Sequence, residues 1–247
     1  MKIEVSLTPA LYPYRTLTDH HVTVAIDLLR ATTAVCAAFQ AGCEIVVPLD
    51  TLEALPAYRR QGYLLAAERN GRKVDVSIDD GSFIAAEYGN SPTEYLRHDL
   101  HGVKLAYSTT NGTVCILRSA DAALSLVGSF ANLSALVDRL QQEEMDVVLL
   151  CSGWKNDFCI EDTLVAGAII DHLSSNNCHL SPLGDAAHMA LALWQLAKED
   201  PYGYCQRASH VHRLEGLKAH DDILFAFRQD TCPVVPELHD GMLTVSR

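Results

Sequence analysis

Apolar residues in this chain gather in short runs separated by polar, hydroxyl-rich turns, and the runs alternate in character. Residues 22–26 are continuously apolar apart from Thr23 and rich in β-branched side chains, the pattern of a strand covered on both faces. Residues 31–40 are alanine-rich and end just before Gly42, which predicts a helix with a glycine beyond its C-terminus. Residues 45–47 and 52–60 repeat strand and helix, and 63–67 predict a third strand. The pattern weakens from Arg72 to Ser91, where Asp75, Asp79, Asp80 and Gly81 read as loop. Ser91, Pro92 and Glu94 then carry the signature of a capped helix start. The alternation resumes with strands at 103–107, 123–127 and 146–150 and helices at 113–118 and 133–141. Helices follow at 161–173, 185–198 and 204–217, and the first presents a small face of Ala166, Gly167 and Ala168 suited to close packing. Residues 1–10 alternate as an edge strand, and the segments 222–227 and 233–236 end the fold.

The pattern repeats. The run from Val22 to Thr32 lies over that from Val103 to Thr113 without a gap, at an offset of 81 residues. Thr51 to Leu55 lies over Asn132 to Leu136 at the same offset. Each copy, about residues 20–71 and 101–153, reads as strand, polar turn, helix, strand and a further strand. The expectation is an α/β protein, a three-layer α/β/α domain over residues 1–247 with an internal duplication that gives two similar, closely packed subdomains. Polar loops after parallel strands are where such folds place anions and chemistry. Two loops per copy predict one composite site.

With 49% apolar residues in 247, the chain can bury a large core. The net charge of −12 and the lack of a basic stripe argue against a nucleic-acid partner. No apolar run approaches the roughly 20 residues of a membrane span, and Met1 to Val5 does not read as a signal peptide. Eight cysteines without CxxC spacing read as reduced thiols, so a cytoplasmic protein is expected. Cys36, Cys43, Cys115 and Cys178 read as packing residues. The apolar helices after residue 160 suggest a homodimer.

Asp27 is the first acid after a buried strand and precedes Arg30, Thr32 and Thr33 at a helix start, where anions are favoured. Leu29 stands where a haloacid-dehalogenase loop needs its second Asp, and Asp157 where a cysteine-phosphatase loop from Cys151 needs Arg. Ser108, Thr109, Thr110, Asn111, Gly112 and Thr113 form the strongest anion cradle, though without the GK[ST] ending of a Walker loop. Glu68, Arg69, Asn70 and Gly71 place an acid and a base at a strand end. Glu161 and Asp162 open a helix. Beside Asp27 and Glu68 they would make a hard oxygen site suited to Mg²⁺ with a substrate phosphate. His210 and His212 read as helix-surface residues.

The segments 27–33, 68–71, 89–92, 109–113, 128–132, 151–153 and 158–162, with Ser209, His210, Asp222, Val235 and Pro236, resemble the 2-phosphosulfolactate phosphatase family, Mg²⁺-dependent acid phosphatases of coenzyme M biosynthesis. The resemblance spans nearly the whole chain and implies hydrolysis of 2-phospho-3-sulfolactate, or a related 2-phospho-hydroxyacid, to 3-sulfolactate and phosphate. Asp27, Arg30 and Glu68 are then the expected catalytic residues, and Asp27, Glu68, Glu161 and Asp162 the expected Mg²⁺ ligands. Arg69, Asn90, Ser91, Thr109, Thr110, Asn111, Gly112, Thr113, Cys151, Ser152 and Gly153 are the expected contacts to the small anionic substrate. Asp27 or a metal-bound water would be the nucleophile. Two other classes remain: a binder of small sulfonates or phosphates without hydrolysis, and a cysteine hydrolase built on Cys151. The second needs a histidine base, and no histidine adjoins the strand-end loops.

Overall fold

The computed structural model of the chain describes residues 1–17, 20–78, 81–176 and 179–245. The readings of Asp79, Asp80 and Cys178 therefore lie outside the described residues. In chain order the first part comprises β1 (Ile3–Ser6), β2 (His21–Ile26), α1 (Ala31–Gln40), β3 (Ile45–Pro48), α2 (Leu55–Arg59) and β4 (Leu64–Arg69). Short strands β5 (Arg72–Lys73), β6 (Val76–Ser77) and β7 (Phe83–Ile84) occupy the segment expected to be loop, followed by α3 (Pro92–Tyr95). Next come β8 (Lys104–Ser108), α4 (Gly112–Arg118), β9 (Leu124–Gly128), α5 (Leu133–Glu143) and β10 (Asp146–Cys151). Helices α6 (Ile160–Ser175), α7 (Asp185–Ala197), α8 (Pro201–Cys205), α9 (Ser209–Glu215) and α10 (His220–Ala226) lead to the hairpin β11 (Glu237–His239) and β12 (Met242–Thr244).

The parallel core strands are apolar on both faces, and this makes the architecture layered. Val22, Val24 and Ile26 of β2, with Val147 and Leu149 of β10, pack in one cluster with Leu136, Val165 and Ile169 of α5 and α6. The intervening Ala25, Val148 and Leu150 point to the other face, into a cluster with Ala34 and Val35 of α1 and Cys115 of α4. The sheet is thus covered on both sides, as expected for three layers. On the outer helical layer, a side chain at Gly167 would overlap the Ala190 carbonyl oxygen, so α6 and α7 approach as closely as the small-residue face predicts.

Ten strands share one sheet, in the order β1-β10-β2-β9-β11-β12-β3-β8-β4-β5. Strands β1, β10, β2 and β9 are parallel, as are β3, β8 and β4. The hairpin pairs antiparallel to β9 on one side and to β3 on the other, so the two parallel blocks run in opposite directions. The opening strand of each expected copy lies between the later strands of the other: β2 between β10 and β9, β8 between β3 and β4. The hairpin was not foreseen. The helix expected over 204–217 is two, α8 and α9, separated by extended backbone at Ala208.

Candidate active site

The strand-end loops meet in one cleft. Its lining includes Asp27, Arg30, Glu68, Gly71, Asn90, Thr109, Thr110 and Asn111, as the loop pattern predicts. Trp154, His210, Arg213 and Leu214 complete the wall. The cleft is narrow, with a void of ≈20 Å³ at its floor, room for about one water or one small ion.

Asp27 anchors the first loop. Its backbone N–H donates to Thr32 Oγ1 at 3.0 Å, Thr32 Oγ1 donates back to the Asp27 carbonyl at 2.9 Å, and its carboxylate Oδ1 accepts from Ala31 N at 3.2 Å. Thr113, which stands at Thr32's place in the second copy, does likewise. Thr109 N donates to Thr113 Oγ1 at 3.2 Å, and Thr113 Oγ1 donates to the Thr109 carbonyl at 3.1 Å. Each loop is closed by a helix threonine bonded back to the strand end. The Asp27 carboxyl is pushed up to about 6 by burial, with His210 pulling the other way.

The two loops touch at Gly112. A Cβ there would clash with the Ala31 Cβ and lie 2.7 Å from Asp27 Oδ2. Gly112→Ala is therefore expected to destabilise the fold by about 1–3 kcal/mol through overpacking. Because the clash falls on Asp27, activity should drop further than stability does. Thermal melts and turnover assays of the same preparation check this, and an unchanged melting temperature would show that the loops are free to separate.

Glu68 and Asp162, two of the four expected metal ligands, are occupied by protein donors. Glu68 Oε1 accepts from Gly71 N and from Thr110 Oγ1 at 3.0 Å, and its Oε2 accepts from Thr110 N at 3.1 Å. It braces the turn after β4 against the Thr109–Thr113 loop. Asp162 Oδ1 accepts from Leu28 N at 2.9 Å, and Oδ2 from Gly153 N at 3.0 Å and Ser152 Oγ at 3.1 Å. It ties the loops after β2 and β10 together. Burial holds its carboxyl well above the usual range, with Asp27 and Glu161 adding to the effect. The four carboxylates do not converge as a single ligand set. Of the four, Glu161 has a buried oxygen without a partner, Oε2, while Ser152 bonds the Asp27 carboxyl.

Arg30 is a strut. Its Nη1 pairs with Asp222 Oδ2 at 2.7 Å and its Nη2 donates to the Gly71 carbonyl at 2.8 Å. Ser91, expected to touch substrate, caps α3 and donates to Asp222 Oδ1 at 2.7 Å. Arg69 turns back to the sheet, donating to Ser108 Oγ at 2.9 Å and to the Glu68 carbonyl at 2.7 Å. It does not line the cleft. Asn90 does, its Oδ1 accepting from the Tyr107 hydroxyl. Cys151 lies wholly in the core, and burial pushes its thiol far from thiolate chemistry. The cysteine-hydrolase reading has no physical basis there.

His210 corrects the sequence reading most clearly. It is buried rather than on the helix surface, and its Nδ1 donates to Glu161 Oε1 at 2.6 Å, while His212 points outward. The sequence also passes over Arg213, on the same face of α9 three residues later. Its guanidinium lies 3.8 Å over the Trp154 ring, and its Nε is buried without a partner. Burial lowers its pKa, with Arg30 adding to the effect. Arg213, not Arg30 or Arg69, is the cleft arginine whose hydrogen bonds are unassigned. The signal for it was the match at Ser209 and His210 with an arginine one helical turn on.

The family described as 2-phosphosulpholactate phosphatase matches residues 6–241 of this chain. Among similar proteins, one from Thermotoga maritima, named a probable 2-phosphosulfolactate phosphatase, is 34% identical over 219 residues, 89% of each chain. Proteins of the same name from Microcystis aeruginosa and a Picosynechococcus species are 31% and 34% identical. The first covers 96% of this chain and 95% of its own, and the second covers all of both. With the strand-end loops, the cradle, Asp27 and Glu68 in one cleft, the chain belongs to the 2-phosphosulfolactate phosphatase family of phosphoric monoester hydrolases.

Proposed function

We propose that the chain is a Mg²⁺-dependent phosphatase that hydrolyses 2-phospho-3-sulfolactate, or a closely related 2-phospho-hydroxyacid, to the hydroxyacid and phosphate. The observation that carries this reading is a buried cleft that combines a carboxylate of raised pKa, Asp27, with the unengaged arginine Arg213 and the hydroxyl-rich Thr109–Asn111 turn. The Asp27 carboxylate in the cleft fits a hard divalent cation, which favours one or two carboxylates plus water and substrate oxygen. Bound there, Mg²⁺ would neutralise charge on the phosphoryl oxygens.

Arg213 binds an oxyanion of the substrate, and its seat on Trp154 fixes the fork. Glu68 takes the Thr110 hydroxyl and N–H and so fixes the turn, which leaves the Thr109 hydroxyl and the Asn111 amide to face the phosphoryl group. Glu161 Oε1 accepts from His210 Nδ1 and fixes the imidazole in the cleft wall. A water adds its oxygen to phosphorus as the ester P–O bond breaks, and its proton goes to the departing alkoxide.

The test is phosphate release from 2-phosphosulfolactate and a panel of 2-phospho-carboxylates, with Mg²⁺ and with EDTA. Mg²⁺-dependent release from the sulfonate supports the reading in full. Equal rates on ordinary 2-phospho-hydroxyacids keep the phosphatase and discard the sulfonate preference. Binding without release makes the chain an anion binder. Arg213→Met is expected to lose a charge-assisted contact of about 1.5–3 kcal/mol, a roughly 10–150-fold fall in kcat/KM. Unchanged steady-state kinetics in that variant would remove Arg213 from the site.

A further inference from the structure

Behind the His210 wall of the cleft lies a second kind of donor set. Cys159, Glu161 and His210 each offer one ligand atom, and the three atoms lie within 4.8 Å of one another, the one such group among the described residues. Cys159 caps α6 in extended conformation, Glu161 sits in the first turn of that helix, and His210 arrives from α9. Glu161 is 1% exposed; its Oε1 is bonded to His210, the Cys159 thiol lies against the same carboxylate, and Oε2 has no well-placed donor. A buried carboxylate oxygen without a donor is unfavourable unless something positive meets it.

We propose that Cys159, Glu161 and His210 form a binding site for a thiophilic divalent cation of the Zn²⁺ class. This site stands beside the Mg²⁺ reading, and its bearing on turnover rests on the proposed phosphatase function. A sulfur, a nitrogen and a carboxylate oxygen are the ligand types of tetrahedral zinc, with water in the fourth position. Mg²⁺ takes oxygen donors and gains nothing from the thiol or imidazole. At zinc bond lengths neighbouring ligand atoms sit roughly 3.2–3.7 Å apart, and the three atoms here already lie within 4.8 Å of one another. Binding releases the Cys159 thiol proton to solvent.

The experiment adds Co²⁺ to the full chain after chelator treatment and records its absorption spectrum. The expected result is a near-ultraviolet sulfur-to-cobalt charge-transfer band that saturates at one equivalent. One equivalent of Zn²⁺ should bleach it, and millimolar Mg²⁺ should leave it. Cys159→Ser should abolish the band with the circular dichroism unchanged. His210→Asn should weaken Co²⁺ binding by more than the roughly 10–100-fold that second-shell changes produce, and this variant decides if Cys159→Ser fails to fold. No band, a band that survives in Cys159→Ser, or unchanged affinity in His210→Asn overturns the proposal. Mg²⁺-dependent phosphate release without a band removes this site and leaves the phosphatase. A band without phosphate release does the reverse.

Discussion

Asp27→Asn is expected to lower phosphate release by at least about 10³-fold and, at pH 8 without metal, to make the protein more stable. Both effects have one cause. The Asp27 carboxyl titrates near 6 in the fold against a reference value of 3.8, because burial disfavours its charge. Between those values the native state holds a proton that the unfolded chain has released. Stability of the metal-free protein therefore falls as pH rises from about 4 to about 6 and stays lowered above that. The shift corresponds to ~3 kcal/mol at full ionisation. Asparagine keeps the acceptor for Ala31 N and removes the charge, so the penalty goes. For a chain of this size each kcal/mol moves the melting temperature by about 2–4 °C. The measurement is thermal melting of both proteins at pH 4.5 and pH 8 in EDTA, alongside turnover with Mg²⁺. A gain at pH 8 that vanishes at pH 4.5, with turnover lost, identifies Asp27 as a strained charge awaiting a cation. Near-full turnover would remove it from the chemistry, and equal melting at both pH values would remove the strain.

The parts of this site that were legible in the sequence are those whose function coincides with a local pattern. Asp27, Glu68 and the Thr109–Thr113 loop end buried strands, and the run of apolar residues before each one announces the strand and hence the loop. Two-faced burial of β2, β8 and β10 likewise made the layered fold readable. What was not legible depends on long-range contact. His210 reads as a surface histidine because α9 is short and polar around it. Only the packing of α9 over the cleft, 49 residues from Glu161, turns it inward. Arg30, Arg69 and Arg213 look equivalent as sequence, and their partners alone separate strut, sheet contact and free guanidinium. The same holds for the acids. Glu68 and Asp162 carry the right charge for a metal, yet backbone N–H groups brought by other loops already occupy them. The hairpin β11–β12 escaped because its strands are three residues each and pair with β9 and β3 from the far end of the chain.

Asp222→Ala is expected to be the most destabilising single change, by about 3–5 kcal/mol, because it leaves a buried charge without its partner. The Arg30–Asp222 pair is 8% exposed on each side. Asp222 also accepts from the Ser91 and Thr93 hydroxyls, at 2.7 and 2.6 Å, and from Thr93 N at 3.4 Å, so the substitution orphans four donors at once. These bonds join α10, α3 and the loop before α1, and Arg30 continues to the Gly71 carbonyl. The pair thereby holds the turn after β4 against the Asp27 loop, and its loss should loosen the cleft as well as the fold. The double variant Arg30→Met with Asp222→Leu separates the two effects. Replacing both charges by apolar groups of similar size removes the unpaired-charge penalty, so much of the stability should return. The bridge to Gly71 does not return with it, so kcat/KM should stay low although the melting temperature recovers. Denaturant unfolding of the two single variants and the double, with turnover measured on each, gives both readings. Recovery of stability and turnover together would show that the pair only fills space, and that the Gly71 turn keeps its place without Arg30.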